Sequence, residues 1–199
     1  MTWLKAAAIA LCALPAARLA WRGFRGNLTA NPIEFITLDT GFWALTLLMV
    51  TLAFTPVRRI TGWNRIISLR RITGLAAFFY TCLHLLTYIT LDRFFDFREI
   101  GADIVKRPYI TVGFLAFLLL LPLAVTSTRA WVRRLGSRWQ SLHRLVYPAA
   151  ALGVLHFYWK KASKADVSEP LLFAGILAAL LLFRVAYALL RRRRTETSR

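Results

Sequence analysis

Residues 72–91 read ITGLAAFFYTCLHLLTYITL: twenty positions without a Lys, Arg, Asp or Glu, holding one histidine, His84. About 20 predominantly apolar residues are what an α-helix needs to cross the hydrocarbon core of a bilayer. The flanks are charged, with Arg70 and Arg71 before the run and Asp92 and Arg93 after it. Five other segments repeat the pattern or nearly so. They are 3–21, marred by Lys5 and Arg18; 41–57; 108–128, uncharged; 142–159, with Arg144 near its start; and 170–190, with Arg184 near its end. Together they fill more than half of the 199 residues and leave no stretch for a soluble domain of ordinary size. The sequence predicts an all-α membrane protein, a six-transmembrane helix bundle.

Composition fits that reading once the charges are placed. The chain carries 27 Lys and Arg against 9 Asp and Glu, a formal charge of +18, while 58% of its residues are hydrophobic. Such a basic surplus usually points to nucleic acid. Here it is topological. Residues 58–71 hold Arg58, Arg59, Arg65, Arg70 and Arg71 with no acid; 129–138 hold Arg129, Arg133, Arg134 and Arg138 with no acid; the tail holds arginines 191–194 and Arg199 against Glu196. The loops 21–40, 92–107 and 160–169 are nearly neutral. Six alternating spans put the three basic segments on one side, which the positive-inside rule makes cytoplasmic, together with both termini. Those segments with Lys5 carry +14, the other loops +1, and Arg18, Arg144 and Arg184 near span ends the remaining +3. Basic loops attract anionic lipid head groups. The arginines at 191–194 read as a stop-transfer anchor, since no nucleic-acid-binding module accompanies them. No nucleic-acid partner is expected. Lys5, the apolar run and Ala17-Arg18-Leu19-Ala20 also resemble a secretory signal peptide; Trp3 and Trp21 fit a retained helix with interfacial anchors better.

Several function classes are excluded. Aromatic residues make up 14% of the chain, so it is not a disordered polymer. Two cysteines, Cys12 and Cys82, make neither a disulfide framework nor a CxxCH heme attachment. No GxGxxG or GxxxxGK[ST] occurs, Gly23 and Gly26 being isolated, and no solenoid repeat is visible. The chain therefore carries no recognisable nucleotide-binding module of its own. No acidic residue lies inside the six segments, which speaks against a carboxylate relay of the kind transporters use.

All three histidines fall within the predicted spans, where an ionisable group is functional by default. His84 is about 12 Å along the helix axis from Asp92, and His156 about 6 Å from Lys160, so both sit in the outer half of the bilayer. Spans three and five run the same way and can face one another. Two neutral imidazoles on facing helices are what a six-coordinate b-type heme needs. Gly153, one turn before His156, would let a porphyrin approach the backbone, or equally let two helices pack closely. His143, about 20 Å before His156, belongs at the cytoplasmic edge. Ideal geometry puts those two rings on different faces, unless Pro148 between them kinks the helix. The positions 13–14 residues before His84 are Arg71 and Arg70, which do not ligate iron. They could pair with a heme propionate, or simply be the topology signal.

At this point the chain resembles a known family. Six spans with histidines on the third and fifth resemble the ferric-reductase-like transmembrane domain, and within it the heme-binding membrane subunits of periplasmic protein-methionine-sulfoxide reductases, the MsrQ or YedZ family. The resemblance rests on Arg70-Arg71-x-x-Gly74, His84-Leu85-x-x-Tyr88, Arg107-Pro108-Tyr109-Ile110-Thr111-x-Gly113, Thr126-Ser127-Thr128, Leu135-Gly136-x-x-Trp139-x-x-Leu142-His143-x-x-Val146-Tyr147 and His156-x-x-Trp159. It spans residues 40–190, and 107–159 is its specific part. It implies a b-type heme on His84 and His156, with His143 as the family's third histidine and a candidate for a second heme. It also implies FMN as an associated group, and the inner membrane of a Gram-negative bacterium. The implied partner is a periplasmic molybdopterin-containing subunit that reduces methionine sulfoxide in oxidised proteins. Electrons would come from the quinone pool or a cytosolic flavin reductase. The expected organisation is a first helix and external loop (1–40), the heme-binding domain (41–190) and a basic cytoplasmic tail (191–199). The expected role is an electron-carrying cytochrome b subunit without substrate chemistry of its own. A self-contained ferric reductase and a small non-redox transporter or structural protein are the alternatives; the chain lacks the flavin and nucleotide domain that many ferric reductases carry.

Overall fold

The computed structural model describes residues 2–162 and 166–197, with side chains as far as Arg191. Lys164, Arg199 and the side chains at 192–194 and 196, which enter the charge count above, lie outside the described residues. Every regular element described is helical.

Helix α1 (Thr2–Phe24) contains Pro15 and buries Ala8, Cys12 and Pro15. Its ladder is interrupted by another helix. The Tyr80 hydroxyl donates to the Cys12 carbonyl at 2.8 Å and accepts from the Ala16 amide at 2.9 Å, standing between groups that would otherwise bond each other. Tyr80 is 1% exposed, so α1 is a packed member of the bundle.

Helix α2 (Pro32–Thr61) starts nine residues before the apolar run does. Pro32 at its first turn needs no hydrogen-bond partner there. The Asn31 side chain accepts from the Glu34 amide at 3.2 Å and donates to the Glu34 carboxylate at 3.2 Å, a reciprocal cap. Gly62 ends the helix in the left-handed conformation, φ 71°. The early start corrects one expectation. Asp39 is not in a loop; it lies within α2, paired with Arg18 at 2.6 Å, while its other oxygen is buried without a hydrogen bond. Inside α2, Pro56 cannot donate to the Leu52 carbonyl. Arg184, from the last helix of the chain, donates to that oxygen instead at 2.6 Å.

Helix α3 (Arg70–Thr87) follows a 3-10 stretch, Asn64–Leu69, and runs into a π-helical turn, Tyr88–Asp92. A short amphipathic helix α4 (Phe97–Lys106), capped by Asp96, replaces the expected loop. Helix α5 (Pro108–Val125) opens on proline. Then come two short helices, α6 (Arg129–Leu135) and α7 (Ser137–Leu142), a 3-10 turn His143–Leu145, α8 (Val146–Ala162) and α9 (Ser168–Thr197).

Among the described residues, five stretches are long and apolar enough to cross a membrane: Thr2–Phe24, Pro32–Thr61, Asn64–Asp92, Pro108–Val125 and Ser168–Arg191. The fifth expected span is shorter than its apolar run. A continuous α-helix through 142–159 would leave the Arg144 carbonyl without the amide that Pro148 lacks. The chain tightens into the 3-10 turn and restarts at Val146. Pro148 thus sits in the first turn of α8, where its missing N–H is harmless, and it is not an interior kink. His143 is accordingly outside α8.

Two antiparallel hairpins, α2 with α3 and α5 with α8, form the centre of the bundle. Thr51 donates to Thr73 across the first at 2.8 Å. Small residues at the crossings, Ala77, Ala149 and Ala150, are at most 1% exposed and let the helices approach. Helix α9 seals one side through Phe173, whose ring meets Phe42 and Phe157 edge to face. Large apolar side chains such as Leu11, Phe79, Leu86, Leu172 and Leu182 remain exposed on the outside, as a bundle solvated by lipid requires.

Candidate functional site

His84 of α3 and His156 of α8 face each other across the two hairpins, their ring centroids 5.9 Å apart and their planes 82° apart. Each imidazole is fixed in the same way. Nδ1 of His84 lies 2.8 Å from the Thr37 carbonyl, and Nδ1 of His156 lies 2.6 Å from the Tyr109 carbonyl. A carbonyl only accepts, so each ring is the Nδ1–H tautomer and keeps its lone pair on Nε2. One turn beyond each carbonyl stands a glycine on the same helix face. A Cβ on Gly41 would lie 3.0 Å from the His84 ring, and one on Gly113 2.5 Å from Nδ1 of His156. The bare Cα of Gly113 is what leaves room for the His156 ring, and that of Gly41 keeps a tight contact off the His84 ring.

The two mounts are one pattern used twice. Adding 72 to Thr37, Gly41 and His84 gives Tyr109, Gly113 and His156. The two hairpins are therefore equivalent halves, the α2–α3 pair matching α5–α8 position for position at this level. The same shift takes Arg71 to His143. At the second level the halves differ, and this fixes Arg71 rather than Arg70 as the counterpart of the third histidine.

The pair fits a metal that brings its own equatorial ligands. Metal–imidazole bonds of about 2 Å on each side, as in zinc sites, would separate two ligating rings by roughly 6 Å between centroids, close to the spacing found. Among the described residues no group of three or more His, Cys, Asp or Glu gathers into a conventional ion site.

The structure also brings His143, Arg70 and Arg71 together. They line a cavity of about 540 Å³ with Arg129, Arg133 and Trp139. The His143 ring stacks on Trp139 with centroids 3.9 Å apart. Thr126 gives its hydroxyl proton to the Pro122 carbonyl at 2.6 Å, so it accepts from Nε2–H of His143 at 3.1 Å. The lone pair of His143 is thus on Nδ1. Gly153 is elsewhere: a Cβ there would meet Leu45 of α2 at 3.4 Å, so this glycine serves the contact between hairpins. The glycines under the imidazoles are Gly41 and Gly113.

At the end of the bundle near the imidazole pair, Asp103 of α4 is buried. One oxygen accepts from the Tyr88 hydroxyl at 2.8 Å and from Arg93 at 2.6 Å; the other accepts from Arg107 at 2.9 Å. Both arginines are held in the charged form. For Arg93, burial works against the charge, and the hydrogen bond with Tyr88 and the carboxylates of Asp103, Asp92 and Glu99 outweigh it. For Arg107, the hydrogen bond with Tyr109 contributes most.

The chain matches the family model described as "ferric reductase like transmembrane component" over residues 40–154. It is 54% identical over 189 residues, 94% of this chain and 87% of the relative, to the "protein-methionine-sulfoxide reductase heme-binding subunit MsrQ" of Herminiimonas arsenicoxydans. It is 59% identical to the protein of that name from Rhodospirillum rubrum, covering 92% of this chain and 87% of the relative. Against the one from Caulobacter vibrioides the identity is 50%, over 87% and 82%. With the family match running from the turn that carries Gly41 to Val154 within α8, and with relatives at 50–59% identity over most of the chain, the chain belongs to the ferric-reductase-like transmembrane family and, within it, to the MsrQ family.

Proposed function

We propose that this chain holds a b-type heme between His84 and His156 and serves as the electron-carrying membrane subunit of a methionine sulfoxide reductase. The observation that carries the reading is the facing imidazole pair, each ring pinned through Nδ1 with Nε2 left to ligate. The relatives' shared name, a heme-binding subunit, supports it. When bound, heme iron supplies reversible one-electron transfer. The chain's own residues do the rest. The carbonyls of Thr37 and Tyr109 hold the tautomer, Gly41 and Gly113 leave the space, and the surrounding bundle excludes water.

The proposed topology has six spans, α8 being the short one, with both termini cytoplasmic and the protein in the bacterial inner membrane. The imidazole pair then lies toward the periplasm, where the molybdopterin-containing partner would take the electron. The cavity around His143 lies toward the cytoplasm. Its arginines and stacked Trp139 suit a flat anion. His143 is occupied at Nε2 by Thr126, which favours an organic group accepted by hydrogen bonds, such as FMN or a quinone head, over a second heme ligated through that nitrogen. The donor would accordingly be the quinone pool or a cytosolic flavin reductase.

The test is an absorption spectrum of the purified protein, oxidised and reduced. A Soret band and sharp reduced bands of a low-spin b heme are expected, reduced strongly by His84→Ala or His156→Ala and less by His143→Ala. A heme-free protein from membranes with ample heme, or full heme in the His84 variant, would overturn the assignment.

A further inference from the structure

The imidazole pair spans two hairpins, so the distance and angle between the rings depend on what ties the hairpins together. Within each hairpin the mounts are intrinsic: α2 holds His84 and α5 holds His156. Between them, at the end where the rings face, stands the segment that links the two equivalent halves, and its buried Asp103 reaches both. On one side it accepts from Tyr88, one turn past His84 and the first residue of the π-helical turn. On the other it accepts from Arg107, which precedes Pro108 and lies two residues before Tyr109, the residue whose carbonyl holds His156. The Arg107 amide also donates to the Asp103 carbonyl at 2.9 Å. Arg93 completes the cluster, reaching Asp103 and, at 2.8 Å, Glu99. A continuous set of bonds therefore runs from His84 through Tyr88, Asp103, Arg107 and Tyr109 to His156. Bonds between ionised partners are short, directional and about twice as strong as neutral ones, and a π turn is a recurrent feature of functional helices.

We infer that Asp103 is a positioning residue that sets the mutual geometry of His84 and His156 by clamping the α2–α3 hairpin to the α5–α8 hairpin through Tyr88 and Arg107. The inference rests on the heme assignment above. It makes the segment between the halves part of the redox site, although none of its side chains ligates.

The test reads geometry directly. Imidazole planes near perpendicular on a ferric heme give a highly anisotropic low-spin electron paramagnetic resonance signal, whereas nearly parallel planes give a rhombic one. The 82° angle predicts the anisotropic form in the native protein. Asp103→Asn keeps the side-chain size but removes the charge and puts an amide donor where three donors converge. The low-spin signal is expected to move toward the rhombic form, the midpoint potential of that heme to shift, and heme to leave for a scavenger protein roughly tenfold faster, the scale set by a weakened charge-assisted bond. Tyr88→Phe, which keeps the carboxylate and both arginines, should change the same three readings in the same direction by less. It carries the test alone if Asp103→Asn does not accumulate. Tyr187→Phe, which loses a hydrogen bond to Arg59 away from this site, should leave the signal and the potential unchanged. A native low-spin heme whose signal and potential are the same in Asp103→Asn and Tyr88→Phe overturns the clamp and leaves the heme assignment standing. A native protein without heme overturns both.

Discussion

Gly113→Ala should cost most of the heme, and the magnitude follows from two distances. The added Cβ would stand 2.5 Å from Nδ1 of His156 and 2.8 Å from its Cε1. Normal contact begins near 3.5 Å, so the imidazole must retreat by roughly 1 Å. The bond from Nδ1 to the Tyr109 carbonyl is 2.6 Å; lengthened by that much it reaches about 3.6 Å and is no longer a hydrogen bond. Losing the partner that orients a ligating histidine typically costs about 10–100-fold in metal affinity. Gly41→Ala is milder. Its Cβ would stand 3.0 Å from the His84 ring, a retreat of roughly 0.5 Å suffices, and a 2.8 Å bond stretched to about 3.3 Å is weakened but kept. Gly153→Ala meets only a Leu45 methyl at 3.4 Å and should be neutral. Alanine is a better helix former than glycine by up to about 1 kcal/mol, so heme loss in this series cannot be attributed to weaker helices. The assay is heme per mole of purified protein from cells grown with limiting heme, read with the reduced spectrum. Wild-type heme content in Gly113→Ala, or a larger loss in Gly41→Ala than in Gly113→Ala, would refute the reasoning.

Arg184→Met should destabilise the protein by about 1–3 kcal/mol, the cost of leaving the Leu52 carbonyl unbonded beside Pro56, read as a lower melting temperature in detergent with the heme spectrum unchanged. Tyr80→Phe removes the hydroxyl set into the α1 ladder and should loosen that helix, read as faster proteolysis within α1, again with heme content unchanged. Arg71→His places an imidazole at the position equivalent to His143 in the other half. Combined with Thr126→Val, which releases Nε2 of His143, it is expected to add a second low-spin heme component in heme-replete membranes, and that component should be absent from Arg71→His alone and vanish when His143→Ala is added.

Much of this was legible in the residues because charge and apolarity are both read by the bilayer. Apolar runs marked most of the long helices, and their alternating direction put His84 and His156 at one level on helices that run the same way. What held those imidazoles was not legible. Thr37 and Tyr109 act through backbone carbonyls, which any residue supplies, and Gly41 and Gly113 look like any other glycine in an apolar helix. The repeat itself is hidden in the sequence because Thr37 and Tyr109 share no side-chain chemistry. Apolarity also overran the true helix at 142–145, since Leu142, Leu145 and Val146 continue the pattern while the missing amide of Pro148 breaks the ladder. It underran at 32–40, where the cap formed by Asn31 and Glu34 starts α2 well before the apolar run. The 92–107 segment, balanced in charge, read as a loop. Three of its charged residues, Arg93, Glu99 and Arg107, are in fact partners in a cluster centred on the buried Asp103.

The repeat explains why the two levels of the bundle differ. A metal held between two imidazoles asks the same thing of both hairpins: a ligand, a carbonyl one turn before a bare Cα, and the spacing to bring them together. At the level of His84 and His156 the halves comply and are interchangeable. At the level of Arg71 and His143 they do not, and the asymmetry is chemical. One half offers a guanidinium that cannot ligate, the other an imidazole whose Nε2 proton is already given to Thr126. Arg70, Arg129 and Arg133 add further positive charge to the same cavity. Such a site does not grip a metal from two sides; it receives an anion or a hydrogen-bonding ring from one. In the proposed orientation that side is the cytoplasmic one, where arginines also draw anionic donors electrostatically. In the role proposed for the chain, the direction of electron flow would be set at the point where its two halves stop being alike.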